Sequence, residues 1–149
     1  MAGRKGFSII LIEKEKMNAM VGYVRKTLSC LEHHQVAFEH MATGISSFSL
    51  VVPTAALADC RDVLVQEIQQ EVDPDVLDIS DGLAMIAVVG SGMIDRPGIA
   101  GKLFSAVGDI GANVRMIDQG GSQMSIVIGV TEDCFEDSMR AIYKKFFDK

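Results

Sequence analysis

The sequence predicts an α+β protein made of two copies of one six-element unit, and three observations support this prediction. Shifting the chain by 76 positions, the separation of Met17 and Met93, aligns Phe7–Val52 with Leu83–Ile128 without a gap. Apolar positions match along with the identical residues, which chance alone would not usually supply. Within each copy, short β-rich runs alternate with segments that carry apolar residues at helical spacing. The chain is therefore interpreted as a tandem repeat.

The first copy reads strand, helix, strand, strand, helix, strand. Charged or serine-rich turns end its strands, and Pro74 precedes the last one. The predicted elements are FSIILI (7–12), a helix over 20–34, VAFEHMA (36–42), FSLVV (48–52), a helix over about 55–72, and DVLDISDG (75–82).

The second copy repeats this order but stops early. Pro97 fits the first turn of its first helix, and Gly111 fits the exit from that helix. The predicted elements are LAMIAVV (83–89), a helix over 97–110, NVRMID (113–118), MSIVIGV (124–130), and a helix over about 132–147.

The counterpart of the first copy's last strand would lie beyond residue 149. Because an unpaired sheet edge is a liability, we expect a segment preceding residue 1 in a longer protein to supply this strand. The predicted units are 1–81 and 82–149. Their element order is the ferredoxin-like βαββαβ arrangement, an antiparallel sheet with both helices on one face.

Composition excludes several classes of protein. The net charge of −6 and the isoelectric point near 5.0 argue against nucleic-acid binding, which needs a basic face. The longest uncharged stretch, 41–58, is broken by Gly44, Pro53 and several hydroxyl residues, so no membrane span is expected. Three cysteines without metal-ligand spacing suit thiols in a reducing cytoplasm.

The glycine-rich stretch VVGSGMIDRPGIAGK (88–102) raises the question of a phosphate loop. Asp95 stands where a dinucleotide fingerprint needs its last glycine, and a P-loop would need glycine in place of Arg96 and Ser or Thr in place of Leu103. Both nucleotide patterns fail. A helix N-terminus here would still suit the carboxylate of a small ligand.

No catalytic or metal-binding constellation is predicted. The three histidines have no carboxylate or cysteine partner at ligand spacing, and no Ser/His/Asp or Cys/His set stands at a defensible spacing. The acids of 73–75 and 78–81 are interpreted as a solvated linker face.

The stretch VGSGMIDRPGIAGKLFSAVGDIGANVRMIDQGGSQMSIVIGV resembles the ACT domain, an amino-acid-sensing module of metabolic enzymes. With GRKGFSIILIEKEKMN, VGYVRKTLSCLE, FEHMATGISSFSLVV and GLAMIAVVGSGM, the whole chain resembles the C-terminal regulatory region of monofunctional aspartate kinases. The resemblance implies a non-catalytic region that forms a homodimer through its ACT units and acts on the kinase domain. Phosphorylation of L-aspartate, with ATP and Mg as cofactors, would belong to that kinase domain.

The resemblance also implies an amino-acid effector, L-lysine first and L-threonine next, that lowers kinase activity from a paired interface. Its expected binding residues in the first copy are Met17, Asn18, Met20, Val21, Gly22, Phe38, Glu39, Ser46 and Ser47. In the second copy they are Met93, Ile94, Pro97, Gly98, Ile99, Asn113, Val114 and Gln119.

Glu39 of the first copy would suit a cationic side chain better than Arg115, its counterpart in the second copy. Plainer interpretations stand beside these: Met17 and Met93 as loop packing, Glu39 as a solvated carboxylate, and Pro97 with Gly98 as only a helix start. An oligomerisation module without a ligand is the alternative function. A cysteine enzyme fits less well, since no cysteine has a basic partner nearby.

Overall fold

The computed structural model describes residues 1–148, and these divide into two compact units. The first unit is Gly6–Asp81. The second unit begins at Gly82 and also includes Met1–Lys5. Both have the predicted ferredoxin-like element order, α+β with antiparallel pairing. Residues 1–5 thus lie with the second unit, whereas the sequence places them in the first.

The first unit contains a sheet in the order β2-β3-β1-β4, with β1 and β3 antiparallel in a register that pairs Ile10 with Leu50. These two residues join Leu64 and Ile68 of the second helix in one buried core, which is why the helices cover one face. The elements are β1 (Ala2–Glu13), α1 (Tyr23–His33), β2 (His40–Thr43), β3 (Ser47–Pro53), α2 (Arg61–Val72) and β4 (Val76–Val89), of which β1 from Gly6 onward and β4 to Asp81 belong here.

The second unit repeats this plan, with β4 central and the order β1-β4-β6-β5. Ile86 pairs with Ile128, and both join Leu103 and Ile142 in its core. The elements are β4 from Gly82 onward, α3 (Ile99–Asp109), β5 (Val114–Asp118), β6 (Ser125–Thr131) and α4 (Phe135–Phe147).

Residues 2–5 of β1 lie with the second unit, at the place of its last strand, for which the sequence predicts a segment preceding residue 1. A Cβ built on Gly3 would lie 2.6 Å from the Phe135 ring and 3.0 Å from the Met139 sulfur, so this backbone lies directly on α4. Lys5 pairs with Glu136, the second residue of α4. The reason is the length of β1: its 12 residues extend beyond what the first unit needs.

Three local predictions differ from the structure. The strand expected at 75–82 and the one expected at 83–89 form a single strand, β4, so Asp78 and Asp81 lie on a strand rather than in a linker, although both are exposed. Asp81 accepts a hydrogen bond from the buried Ser8 hydroxyl (2.6 Å) and two from Arg61. The first helix of the second unit begins at Ile99 with Gly98 as its N-cap, so Pro97 lies outside its first turn.

The strand predicted at 36–42 begins only at His40. Gln35 adopts φ 57°, and the Val36 N–H donates to the Leu31 carbonyl in the closing turn of α1. Val36 is therefore held in the core by the helix end rather than by the sheet. Among residues 1–148, no helix is long and apolar enough to cross a membrane.

Candidate functional site

Each unit has a loop between its first strand and its first helix, and these loops carry most of the predicted binding residues. We call residues 14–22 the first loop and residues 90–98 the second loop. Each contains one turn of 3-10 helix, Met17–Ala19 in the first loop and Ser91–Met93 in the second. Met17 and Met93 are 6% and 8% exposed and belong to the cores of their units, so their side chains anchor the loops.

The loops end in glycines that begin the first helices in the same way. Gly22 and Gly98 are the N-caps of α1 and α3, with φ of 79° and 89°, a left-handed backbone that glycine adopts without steric cost. Neither helix has a side-chain cap. The first N–H groups of each helix have no intrahelical partner and are thus available to a carboxylate. The helix dipole also favours negative charge there.

Backbone hydrogen bonds join the first loop to the β2–β3 turn. The Lys14 N–H donates to the Ser46 carbonyl (2.9 Å) and the Asn18 N–H to the Ile45 carbonyl (3.1 Å). Ser47, the next residue, pairs with Glu13 at the end of β1. The structure therefore brings the predicted residues of the first loop together with Ser46 and Ser47.

The first loop is also tied by charge to the segment between α2 and β4. The Lys14 ammonium donates to the Asp73 carbonyl (2.7 Å) and lies 3.6 Å from an Asp75 carboxylate oxygen. The other oxygen of Asp75 accepts the Glu15 N–H at 2.7 Å. A cation at the C-terminal end of α2 is also favoured by the helix dipole. These contacts fix the start of the first loop.

The second loop is held by different contacts. The Gly90 N–H donates to the Met124 carbonyl at 2.9 Å. The Gln123 side chain accepts the Asp95 N–H at 3.1 Å and donates to the Asp95 carboxylate at 3.4 Å. One neutral amide side chain therefore spans this loop and the β5–β6 turn.

The outer side of each loop exposes apolar side chains. Val21 is 100% exposed, and Met20 and Ile94 are 43% and 44% exposed. Pro97 is exposed as well, and Ile99 packs partly against the core of the second unit. Exposed apolar side chains beside free helix N–H groups suit an amphipathic ligand such as an amino acid.

Phe38 and Glu39 do not lie beside the first loop within their own unit. The Glu39 N–H donates to the Val51 carbonyl, four residues along β3 from Ser47, which corresponds to about 13 Å at the rise of a β-strand. Both side chains are exposed, Phe38 to 43%. One unit alone therefore does not assemble the predicted site.

The second unit shows the same separation. Val114 pairs with Val130, far from the second loop, and the exposed Asn113 precedes it. Gln119 follows the other end of β5, on the side where β4 ends and the second loop begins. A register shift between Val114 and Met116 leaves Arg115 at a bulge.

Sequence reasoning missed Lys14, Asp75 and Gln123, which hold the loops. It also missed Tyr23, on the first turn of α1, whose hydroxyl is buried without a hydrogen-bond partner among the described residues. Its ring packs edge-on against Phe48, and burial, with Asp75 and Asp73 nearby, raises the pKa of the phenol. Pro74 signalled a turn there, but only the fold shows that Asp75 meets the first loop.

His33 and His34, at the end of α1, join this helix to α2. Glu67 of α2 accepts from His33 and His34 at the end of α1, which raises the pKa of His33 and lowers that of Glu67. No group of His, Cys, Asp and Glu among residues 1–148 could hold a metal ion. The three cysteines are free thiols.

The chain is similar to a known protein family and to known proteins. Residues 86–146 match the family model described as the ACT domain. Aspartokinase 3 of Bacillus subtilis (strain 168) is 30% identical over 148 residues, covering 99% of this chain and 33% of that protein.

Solved structures agree. Aspartate kinase of Clostridium acetobutylicum matches with a TM-score of 0.93 and 42% identity, over 97% of this chain and 34% of that one. E. coli aspartokinase III, in complex with lysine and aspartate, matches with a TM-score of 0.81 over 99% of this chain and 32% of that one; at 19% identity it supports the fold alone.

These matches define the class of the protein: residues 86–146 of its second unit match the ACT domain, and its first unit has the same element order. More particularly, the chain belongs with the C-terminal regulatory regions of the aspartokinases. It spans about a third of the length of the curated relative and of the Clostridium structure that it matches.

Proposed function

We propose that this chain senses an amino acid and thereby controls an aspartokinase catalytic domain joined to it. The effector is L-lysine, with L-threonine as the second candidate, and its binding lowers the kinase activity. A cytoplasmic location stays an expectation from the free thiols. The allosteric effect requires only that the effector bind one arrangement of the protein more tightly than the other.

The observation that carries this proposal is the repetition of one loop design in both units. A methionine anchored in the core, a left-handed glycine and an uncapped helix N-terminus recur at the same spacing. In the first loop, turn residues Ser46 and Ser47 lie alongside. This set supplies donors for a carboxylate and apolar contacts for a side chain.

The position of Glu39 supports a site completed by a second copy of the chain. β2 lies at the edge of its sheet, and its two ends are the Glu39 end and the end beside the first loop. Two β2 edges related by a two-fold axis would run antiparallel, so Glu39 of one copy would meet the first loop of the other. The homodimer is thus part of the proposal.

Glu39 supports lysine over threonine. A carboxylate can pair with the ε-ammonium group of lysine but gains no charge interaction with threonine.

A thermal-shift panel of amino acids tests the proposal. Ligand at about 100 times its dissociation constant should stabilise the protein by about 2.7 kcal/mol. Glu39→Gln should weaken lysine binding and leave threonine binding nearly unchanged, with Arg115→Gln in the second unit as its matched control. If no amino acid raises the melting temperature, the sensing function is wrong and an oligomerisation module remains. If Glu39→Gln weakens both ligands equally, the role of Glu39 is wrong.

A further inference from the structure

A stripe of apolar side chains runs along α4, and its two halves differ in exposure. Phe135 and Met139 lie against the backbone of Gly3. Tyr143 and Phe147, one and two turns further on, are 55% and 58% exposed, with their rings 5.1 Å apart. Residues four apart share one face of a helix, so the four side chains form a continuous surface.

Exposed rings of this kind are absent from the same place in the first unit. The buried residues Leu64 and Ile68 of α2 occupy the same positions as the buried residues Ser138 and Ile142 of α4. The counterpart of Tyr143 is then Gln69, which is polar and exposed. The counterpart of Phe147 is Asp73, which is charged and exposed. The aromatic half-stripe is therefore particular to the second unit.

The two units also differ in how the chain enters the last strand. In the first unit, β4 starts at Val76, directly after the C-terminal end of α2. Arg61, the first residue of α2, bonds Asp81 further along the strand. In the second unit, Lys5 takes the place of Asp81 and pairs with Glu136 near the start of α4. The backbone that leads into residue 1 therefore approaches the C-terminal half of α4.

We propose that the exposed half-stripe, Tyr143 with Phe147, is the docking surface for the segment that immediately precedes residue 1 in the full-length protein. This rests on the proposed function, in which the chain is the regulatory part of a longer one. A shallow groove of about 340 Å³ beside the rings receives an apolar side chain of that segment. It is lined by Met139, Arg140, Tyr143, Lys144 and Asp148.

Two observations favour this occupant over a second copy of the chain. This chain spans 33% of aspartokinase 3 of Bacillus subtilis and 34% of the Clostridium aspartate kinase, so in a protein of that length a segment outside residues 1–149 is available. Gly3 already lies on Phe135 and Met139, the covered half of the same stripe. The strand runs from Lys5, which pairs with Glu136, back to Gly3, so it points towards the exposed half. The preceding segment needs only to continue along it. A movement of the preceding segment would then be transmitted to α4 of the second unit.

Tyrosine nitration by tetranitromethane tests this, because the chain has only two tyrosines. Tyr23 is buried and serves as an internal reference, so modification of Tyr143 can be followed by mass spectrometry. Three proteins are compared: residues 1–149, the same chain extended by about 15 preceding residues, and the full-length protein. At the rise of a strand, about 15 residues are long enough to cover the half-stripe. A matched Gln69→Tyr variant reports shielding at the equivalent place in the first unit.

We expect Tyr143 to react at least about tenfold more slowly in both longer proteins, as a side chain that reacts only in locally open states. The Gln69→Tyr reporter should react equally in residues 1–149 and the extended chain. An unchanged Tyr143 rate overturns the proposal. Slowing only in the full-length protein assigns the surface to a more distant domain and also overturns it. Slowing with rising concentration of residues 1–149 assigns the surface to a second copy.

Because nitration requires no effector, the readout is independent of amino-acid binding. If the amino-acid panel shows no ligand while Tyr143 is shielded by the extension, the sensing function fails and the docking surface stands. If an amino acid binds while Tyr143 reacts equally in all lengths, the docking surface fails and the sensing function stands.

Discussion

The first and second loops have the same backbone plan, but different side chains hold them. In the first loop, the Lys14 ammonium and the Asp75 carboxylate join the loop to the end of α2 and the start of β4. In the second loop, Gln123 makes both side-chain contacts through one amide. The repeat therefore keeps the anchors and the helix start, and varies the contacts that set the charge around the loop.

Under the proposed function, this difference gives the two loops separate ligand preferences. The first loop lies in a charged setting, and its unit presents Glu39, whereas the second has Arg115 at the corresponding place. Substitutions at equivalent positions of the two loops can therefore separate the effects of the shared methionine anchors from those of the side-chain contacts that differ.

The largest effect is expected at the shared anchors. Met17→Ala and Met93→Ala should each cost about 2–5 kcal/mol of unfolding free energy, because both side chains are buried in a core. Guanidinium unfolding measures this. Met20→Ala, which truncates an exposed loop methionine, is the control and should change stability by less than about 0.5 kcal/mol. Small effects at both anchors would show that the loops are not held by their methionines.

The next effect concerns the last strand of the second unit. Gly3→Val should destabilise that unit by about 1–3 kcal/mol, since a side chain there overlaps the Phe135 ring. Hydrogen exchange should show faster exchange in α4 than in α2. Ala2→Val, on the exposed neighbour, is the control. Equal exchange in α4 of the variant and the wild type would mean that residues 2–5 do not pack on this helix.

A smaller effect is expected from the contacts that differ between the loops. Lys14→Met should cost about 1 kcal/mol, because a largely shielded ammonium group loses a charged hydrogen bond while its stem stays packed. Amide exchange at Glu15 and Asn18 should accelerate, while the second loop is unchanged. Gln123→Ala is the reciprocal control and should affect only the amide of Asp95. Acceleration in both loops by either variant would contradict their separate anchoring.

The smallest effect is a pH dependence confined to the first unit. The hydrogen bond to Glu67 raises the pKa of His33, so this stabilisation is complete below the ordinary histidine pKa and is lost as pH rises through the raised value. The lowered pKa of Glu67 makes its contribution fade only in acid. Because His33 is exposed, the change is small. His33→Gln should flatten the stability profile above the ordinary histidine pKa of about 6.5, as measured by urea unfolding; an unaltered profile would contradict the assignment.

The sequence predicted the repeat, the element order and the equivalence of Met17 with Met93, because periodicity and spacing are local signals. It did not predict the ion contacts of Lys14, since Asp73 and Asp75 lie about 60 residues away along the chain. It also missed that β1 serves both units, because nothing in the run of Ala2–Lys5 shows which core it joins. The proposed grouping of Glu39 with the first loop of a second copy lies outside what the sequence of one chain can show.

An amino-acid site shared between copies can be tested by mixing two variants that each bind lysine weakly. Val21→Asp places a carboxylate on the fully exposed loop residue and should repel the ligand's carboxylate, and Glu39→Gln removes the proposed partner of the ammonium group. Each variant alone should bind lysine weakly by calorimetry. After mixing and exchange of subunits, about half of the dimers would be mixed, and each would carry one intact site. A shared site should restore tight binding at about a quarter of the wild-type stoichiometry; no recovery would contradict a site shared between copies.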